Sequence, residues 1–201
     1  MKGRNRPWAT DSLSRYTALL DANVLYPAPL RDLFLQLAVT DLFKAKWTAD
    51  IHREWIEALM RNEPQRDRPA LERTCDLMDA ATRDSLVTGY EALIDTLSLP
   101  DPDDRHVLAA AIVGRCDVIV TQNLKDFPEA ALAPFEIEAQ HPDEFICNHL
   151  SLAPGVVCGA LRKVRARLLK PPYSVEEYLA TLTRQGLVAT VEKLQAFADL
   201  L

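Results

Sequence analysis

Carboxylates recur in this chain at the ends of apolar runs. Asp21 follows Ala18, Leu19 and Leu20, with Asn23 two residues on. Glu54 stands inside "TADIHREWIEALMR" beside Ile51, Trp55 and Ala58. Asp101, Asp103 and Asp104 crowd into "LPDPDDRHVLAAA", and Thr121, Asn123 and Asp126 follow "DVIV". One Asp can simply cap a helix, but a cap needs one carboxylate and here there are three in four residues. An ionised carboxylate in apolar surroundings is unfavourable unless it is paired, hydrogen-bonded or bound to a cation. Carboxylates that converge raise one another's pKa until a cation neutralises them. Hard oxygen donors suit Mg²⁺ or Mn²⁺, which keep waters and are completed by a substrate phosphate. The chemistry such a site offers is phosphodiester hydrolysis: hydroxide generated from water, a phosphate held in place, a leaving oxygen steadied.

The elements that must position these acids can be read from periodicity. "TALLD" (17–21) and "DVIVTQN" read as short buried strands, "AKWT" and "FEIEAQ" as further strands. "PLRDLFLQLAVTDLF", the Glu54 segment, "PALERTCDLMDAATRDSL" and "DDRHVLAAAIVGRC" carry apolar residues at helical spacing. Strands separated by helices predict an α/β layer fold around a parallel sheet. In such a sheet ligands gather at the C-terminal edge of the strands, where Asp21, Asn123 and Asp126 would lie. From about Pro142 the pattern is helical only. It includes "GVVCGALRKVRARLLK", a break at Pro171-Pro172, a Ser174–Glu177 capping box, a stop at Gly186 and a last helix carrying Leu187, Val191, Leu194, Ala198 and Leu201. The expected organisation is a loose arm over 1–16, an α/β domain over 17–142 and an all-helical extension over 143–201.

Charge is unevenly shared. The whole chain carries −6, but residues 151–201 hold seven Lys/Arg against four Asp/Glu. An acidic body argues against strong general binding to nucleic acid, while leaving room for an acidic metal cleft with a local basic patch. The run Arg162, Lys163, Arg165, Arg167, Lys170 is either a solvated helix face or a phosphate-tracking surface. Cys75, Cys116, Cys147 and Cys158 form no CxxC pair, which fits free thiols in a reducing cytoplasm better than a disulfide frame or a zinc site. No apolar run is long enough to span a bilayer, and the opening residues lack the core of a signal peptide.

"LLDANVLYP", "TADIHREWIEAL", "DPDDRHVLAAA" and "DVIVTQNLKDFP", in that order over roughly 17–140, together resemble the PIN-domain family of metal-dependent ribonucleases, in particular the VapC-like toxins of bacterial toxin–antitoxin pairs. The resemblance implies a PIN-like (5′-nuclease-like) three-layer fold with a central parallel sheet, followed here by a C-terminal helical extension. It implies cleavage of RNA to 5′-phosphate and 3′-hydroxyl ends, with Mg²⁺ or Mn²⁺ as cofactor. Its partners would be the RNA substrate and a cognate antitoxin; a homodimer is left open and no membrane is involved. Carried over by position, Asp21, Glu54, Asp104 and Asp126 are the catalytic and metal-holding set. Asn23, Asp103, Thr121 and Asn123 support them, and Arg162, Lys163, Arg165 and Arg167 face RNA. Asp104 fits because Ala111 falls seven residues on; Asn123 and Asp126 compete for the last ligand position. His52 and His106 lie beside motif residues but are read as ordinary ones, since the family needs no histidine, and Lys125 is read as an ordinary exposed turn lysine. Two other functions stand against this one. A haloacid-dehalogenase-like phosphatase also puts Asp after the first strand, but Asn23 fits its D-x-D or D-x-T poorly. A PIN fold that has lost catalysis and serves as an interaction module draws on Asn123.

Overall fold

The computed structural model describes residues 16–201, so the arm expected over 1–16 lies, apart from Tyr16, outside the described residues. In chain order the elements are β1 (Thr17–Leu20), α1 (Ala22–Leu25), α2 (Ala28–Ala38), β2 (Lys44–Lys46), α3 (Ala49–Asn62), α4 (Arg68–Ala81), α5 (Glu91–Ile94), α6 (Arg105–Val113), β3 (Val118–Val120), α7 (Glu129–Leu132), β4 (Glu138–Gln140), α8 (Pro142–Leu152), α9 (Pro154–Ala166), α10 (Val175–Arg184) and α11 (Val188–Leu194). Short 3₁₀ turns stand at Pro102–Asp104, Leu124–Asp126, Ala133–Phe135 and Gln195–Leu200.

The four strands form one parallel sheet in the order β2-β1-β3-β4. All residues of β1 and β3 are buried, which is why both read as unbroken apolar runs rather than alternating ones. Leu20 pairs with Val120 and the Asp21 amide donates to the Val120 carbonyl at 3.1 Å, so Asp21 and Thr121 leave the sheet side by side. Tyr16, the last residue of the expected arm, already belongs to this body: its carbonyl accepts the Lys44 amide at 2.9 Å and its ring stacks on Phe145.

Helices cover both faces. Thr48 caps α3 by accepting the Ile51 amide at 3.0 Å, and α3 buries Ile51, Trp55 and Leu59. Its side against α4 is fixed by a polar chain in which Trp55 donates to His52 Nδ1 (3.1 Å) while His52 and Trp47 converge on Asp79. Arg31 on α2 donates to the Leu25 carbonyl at 2.7 Å, a cation at the C-terminus of α1, and lies 4.6 Å over the Trp55 ring. One buried side chain thus pins α1, which carries Asn23, against α3, which carries Glu54.

The helical extension shares the core. Phe145 of α8 lies against Phe34 and Phe43, and Val157, Leu161, Leu182 and Leu194 are buried in the same cluster. The Ser174–Glu177 capping box forms on α10, and Gly186 takes φ +87 as the helix closes. The expected last helix is shorter than its leucine spacing predicted. It ends at Leu194 and a 3₁₀ turn with a kink at Phe197 follows, so Phe197 packs inward and Ala198 faces solvent. Among the described residues no helix is long and apolar enough to cross a membrane.

Candidate active site at the sheet edge

Asp21 is 5% exposed at the C-terminal end of β1. Its Oδ2 accepts from the Thr121 hydroxyl (2.7 Å) and from the Asn23 amide (2.6 Å). Asn23 also donates to Thr121 Oγ1 at 2.9 Å, and its side-chain Oδ1 accepts the Gln122 backbone amide at 3.0 Å. The Asn123 amide donates to Thr121 Oγ1 at 3.0 Å, so Thr121 is the hub joining the two strand ends. Burial raises the Asp21 pKa above the ordinary carboxylate value; the Thr121 and Ala22 hydrogen bonds pull it down and the charge of Glu54 pushes it up.

Across the edge stands a second group. Asp101, Asp104 and Asp126 each offer one oxygen, all within 4.8 Å of one another. Asp101 also accepts the Asp103 amide at 2.9 Å, opening the 3₁₀ turn that delivers Asp104 to the head of α6. Asp126 is buried, and Asn123 donates its side-chain amide to it. Desolvation pushes the Asp104 pKa up to about 7, aided by the charges of Asp21, Asp101 and Asp126. An ion held at about 2.1 Å puts opposite ligands about 4.2 Å apart, so these oxygens would need only a small inward shift to share a single small cation.

Glu54 faces the site from α3 and is ion-paired to His106, with Nε2 to Oε1 at 2.8 Å. Burial alone would lower the His106 pKa, but the hydrogen bond and charge of Glu54, with the charges of Asp50 and Asp21, raise it. Three placements were not expected. Asp101, given no role in the expected set, joins the carboxylate cluster. Asp103 contributes its amide to Asp101 and leaves its side chain exposed. His106, read as ordinary, holds Glu54; its position in the first turn of α6, two residues after Asp104, was the available signal.

The basic run of α9 is divided by the fold. Arg165 donates to the Tyr173 carbonyl (3.0 Å) and the Leu201 carbonyl (3.3 Å), tying the extension together. Arg167 donates to Gln36 of α2. Arg162 and Lys163 are exposed on α9.

A four-stranded parallel central sheet with flanking helices is consistent with an α/β PIN fold. The family model described as PIN domain matches residues 17–125, more than half of the 201 residues, and the chain belongs to that family. A second model, described as VapC50 C-terminal domain, matches residues 142–196, the segment of α8 to α11. Among curated proteins, "Putative ribonuclease VapC50" of Mycobacterium tuberculosis (strain ATCC 25618 / H37Rv) is 39% identical over 97 residues, covering 48% of this chain. The matched stretch spans 57% of that relative's length. No solved structure matches.

Proposed function

We propose that this protein is a metal-dependent endoribonuclease, the toxin of a bacterial toxin–antitoxin pair, cutting RNA to 5′-phosphate and 3′-hydroxyl ends in the cytoplasm. The observation that carries the reading is the meeting of Asp101, Asp104 and Asp126 beside the buried Asp21 at the sheet edge. Asp21, Glu54, Asp104 and Asp126 would hold Mg²⁺ or Mn²⁺, with Asp101 a further oxygen donor beside Asp104 and Asp126. A cation bound there supplies Lewis-acid activation of water and neutralises charge on the scissile phosphate. Thr121 and Asn23 orient Asp21 by hydrogen bonds to one oxygen, and Asn123 orients Asp126, so Asn123 serves the last acid instead of replacing it. His106 holds the Glu54 carboxylate in place through their 2.8 Å contact. Four buried unpaired thiols support a reducing compartment. Membership of the PIN family displaces the phosphatase reading; the catalytically lapsed module is the remaining rival.

The test is cleavage of end-labelled single-stranded RNA by the purified chain with Mg²⁺, Mn²⁺ or EDTA. The expected result is cutting with either metal, none in EDTA, and products that a 5′-phosphate-dependent exonuclease degrades. Activity undiminished by chelation removes the metal from the mechanism. Absence of cutting with either metal, across varied RNAs, favours the interaction module.

A further inference from the structure

We propose that the cleft between α3 and the corner joining α10 to α11 is a phosphate-binding groove for single-stranded RNA, with Arg61 and Arg184 as its cationic contacts. The proposal rests on the nuclease reading for its substrate, while the groove is argued from Arg61 and Arg184, which that reading does not use. The cleft encloses about 750 Å³ and is lined by Asn23, Glu54, Arg61 and Gln122 on the side of the acids and by His141 and Arg184 on the other. None of the four basic residues expected on α9 lines it.

Glu54, Ala58 and Arg61 follow one another at i, i+4 and i+7, so they share one face of α3. The small Ala58 leaves the floor open between them, and a rise of 1.5 Å per residue puts Arg61 about 10 Å along the axis from Glu54. The groove therefore begins at the acidic edge and runs outward to a cation. Arg184 comes from the far wall, at the end of α10. Among the described residues neither Arg61 nor Arg184 has an ion-pair partner, and the one side-chain hydrogen bond made by either is from Arg184 to Thr181 of its own helix. By contrast Arg53, Arg66, Arg68 and Arg73 are all matched with carboxylates. In a chain of net charge −6, two unmatched arginines facing one cleft are a local positive surface.

That far wall is held firmly. Asp143, at the start of α8, accepts the Ala189 and Thr190 amides, each at 2.8 Å, and its carbonyl accepts the Thr190 hydroxyl at 3.1 Å. Because α8 follows β4 directly, this clamp fixes the α10–α11 corner over the C-terminal edge of the sheet. Gly186, at φ +87, makes the turn, and a Cβ there would sit 3.7 Å from the His141 ring.

The lining suits RNA rather than an acidic peptide. Guanidinium groups match phosphate oxygens through paired donors. The amides of Gln122, Gln185 and Asn62 present donors and acceptors, as base edges do. Tyr26, whose hydroxyl accepts from Asn62 at 2.8 Å, offers a ring face on which a base can stack. A peptide would use the arginines but would meet the carboxylate edge at the groove's inner end with no group to cleave.

The experiment is anisotropy of a labelled single-stranded RNA with the full chain in EDTA, which prevents cutting, across a range of NaCl. Three double variants are compared: R61A/R184A, R61K/R184K, and R162A/K163A, which removes the same charge from α9. The groove predicts that R61A/R184A flattens the salt dependence by about 1.4 (about 0.7 per lost phosphate contact on a single strand) and weakens binding about tenfold at low salt. It predicts that the lysine pair keeps the slope and that the α9 pair behaves as the wild type. Unchanged binding in R61A/R184A, or equal losses in the α9 pair, overturns the groove. So does intact RNA binding with loss of affinity for the cognate antitoxin, which would make the corner a protein-docking surface. Wild-type cutting that persists in R61A/R184A with wild-type affinity rejects the groove and spares the nuclease. Groove-dependent binding without cutting in Mg²⁺ or Mn²⁺ does the reverse.

Discussion

Asp21 and Asp104 stand at the same sheet edge in opposite circumstances. Asp21 is the more buried, yet it is surrounded by donors: a hydroxyl and a side-chain amide converge on one oxygen. Asp104 is half-buried, and among the described residues no side chain donates to its carboxylate. Its charged neighbours are chiefly acids, and its pKa is pushed up to about 7. The fold supplies one carboxylate with hydrogen-bond donors and surrounds the other chiefly with like charge. A site built this way would hold its framework without a cation, and a cation bound there would offset the desolvation and mutual repulsion of the second group.

Breaking either half should stop chemistry. Asp21→Asn and Asp104→Asn are each expected to lower RNA cleavage at least about a hundredfold, the scale of losing a directed charge at a reacting phosphate; single-turnover rates in Mg²⁺ check this. The halves should separate in stability. Asp21→Ala strands the fully buried Thr121 hydroxyl and the Asn23 amide, a loss of about 1–3 kcal/mol in urea unfolding, whereas Asp21→Asn keeps an acceptor and should unfold in EDTA no earlier than the wild type.

The pH dependence sharpens the contrast. The Asp104 pKa rises from 3.8 to about 7 on folding, so between those values the native state keeps a proton that the unfolded chain has lost. Metal-free stability should therefore fall as pH rises through that window and level off above it. After allowance for solvent screening of a half-exposed group, the effect is about 1 kcal/mol. Asp104→Asn removes it, so the variant should gain on the wild type at pH 8 and not at pH 4, as unfolding in EDTA at the two values will show. The smallest expected effect lies within one turn. Asp101→Asn should weaken Mg²⁺ or Mn²⁺ about tenfold by calorimetry, and Asp103→Asn, which leaves the backbone hydrogen bond in place, by less than about twofold. If Asp103→Asn proves the more damaging, the Asp104 half of the site is wrongly placed by one residue.

Much of this was legible because it is local. β1 and β3 announce themselves as short unbroken apolar runs, since buried parallel strands have no polar face to show. The capping box at Ser174 and the stop at Gly186 depend on residues within a few positions of each other, and both formed. The last helix failed where local reasoning had least support. Its leucine spacing continues to Leu201, but the core takes Phe197 instead of Ala198 and the backbone kinks to allow it.

By itself the sequence determined the kind of elements, their order and the acids at their ends, because propensity, periodicity and capping act over a few residues. Only the tertiary structure decided which acids are satisfied and which are frustrated, because that depends on contacts such as Asp21 with Thr121, 100 residues apart. The same holds for the cations. Nothing near Arg165 or Arg167 announces that their guanidiniums tie Leu201 and Gln36, and nothing near Arg184 announces a cleft that Arg61 lines from the opposite side. A charged side chain's role is set by what lies within a few ångströms of its tip, and for these residues long-range packing puts it there.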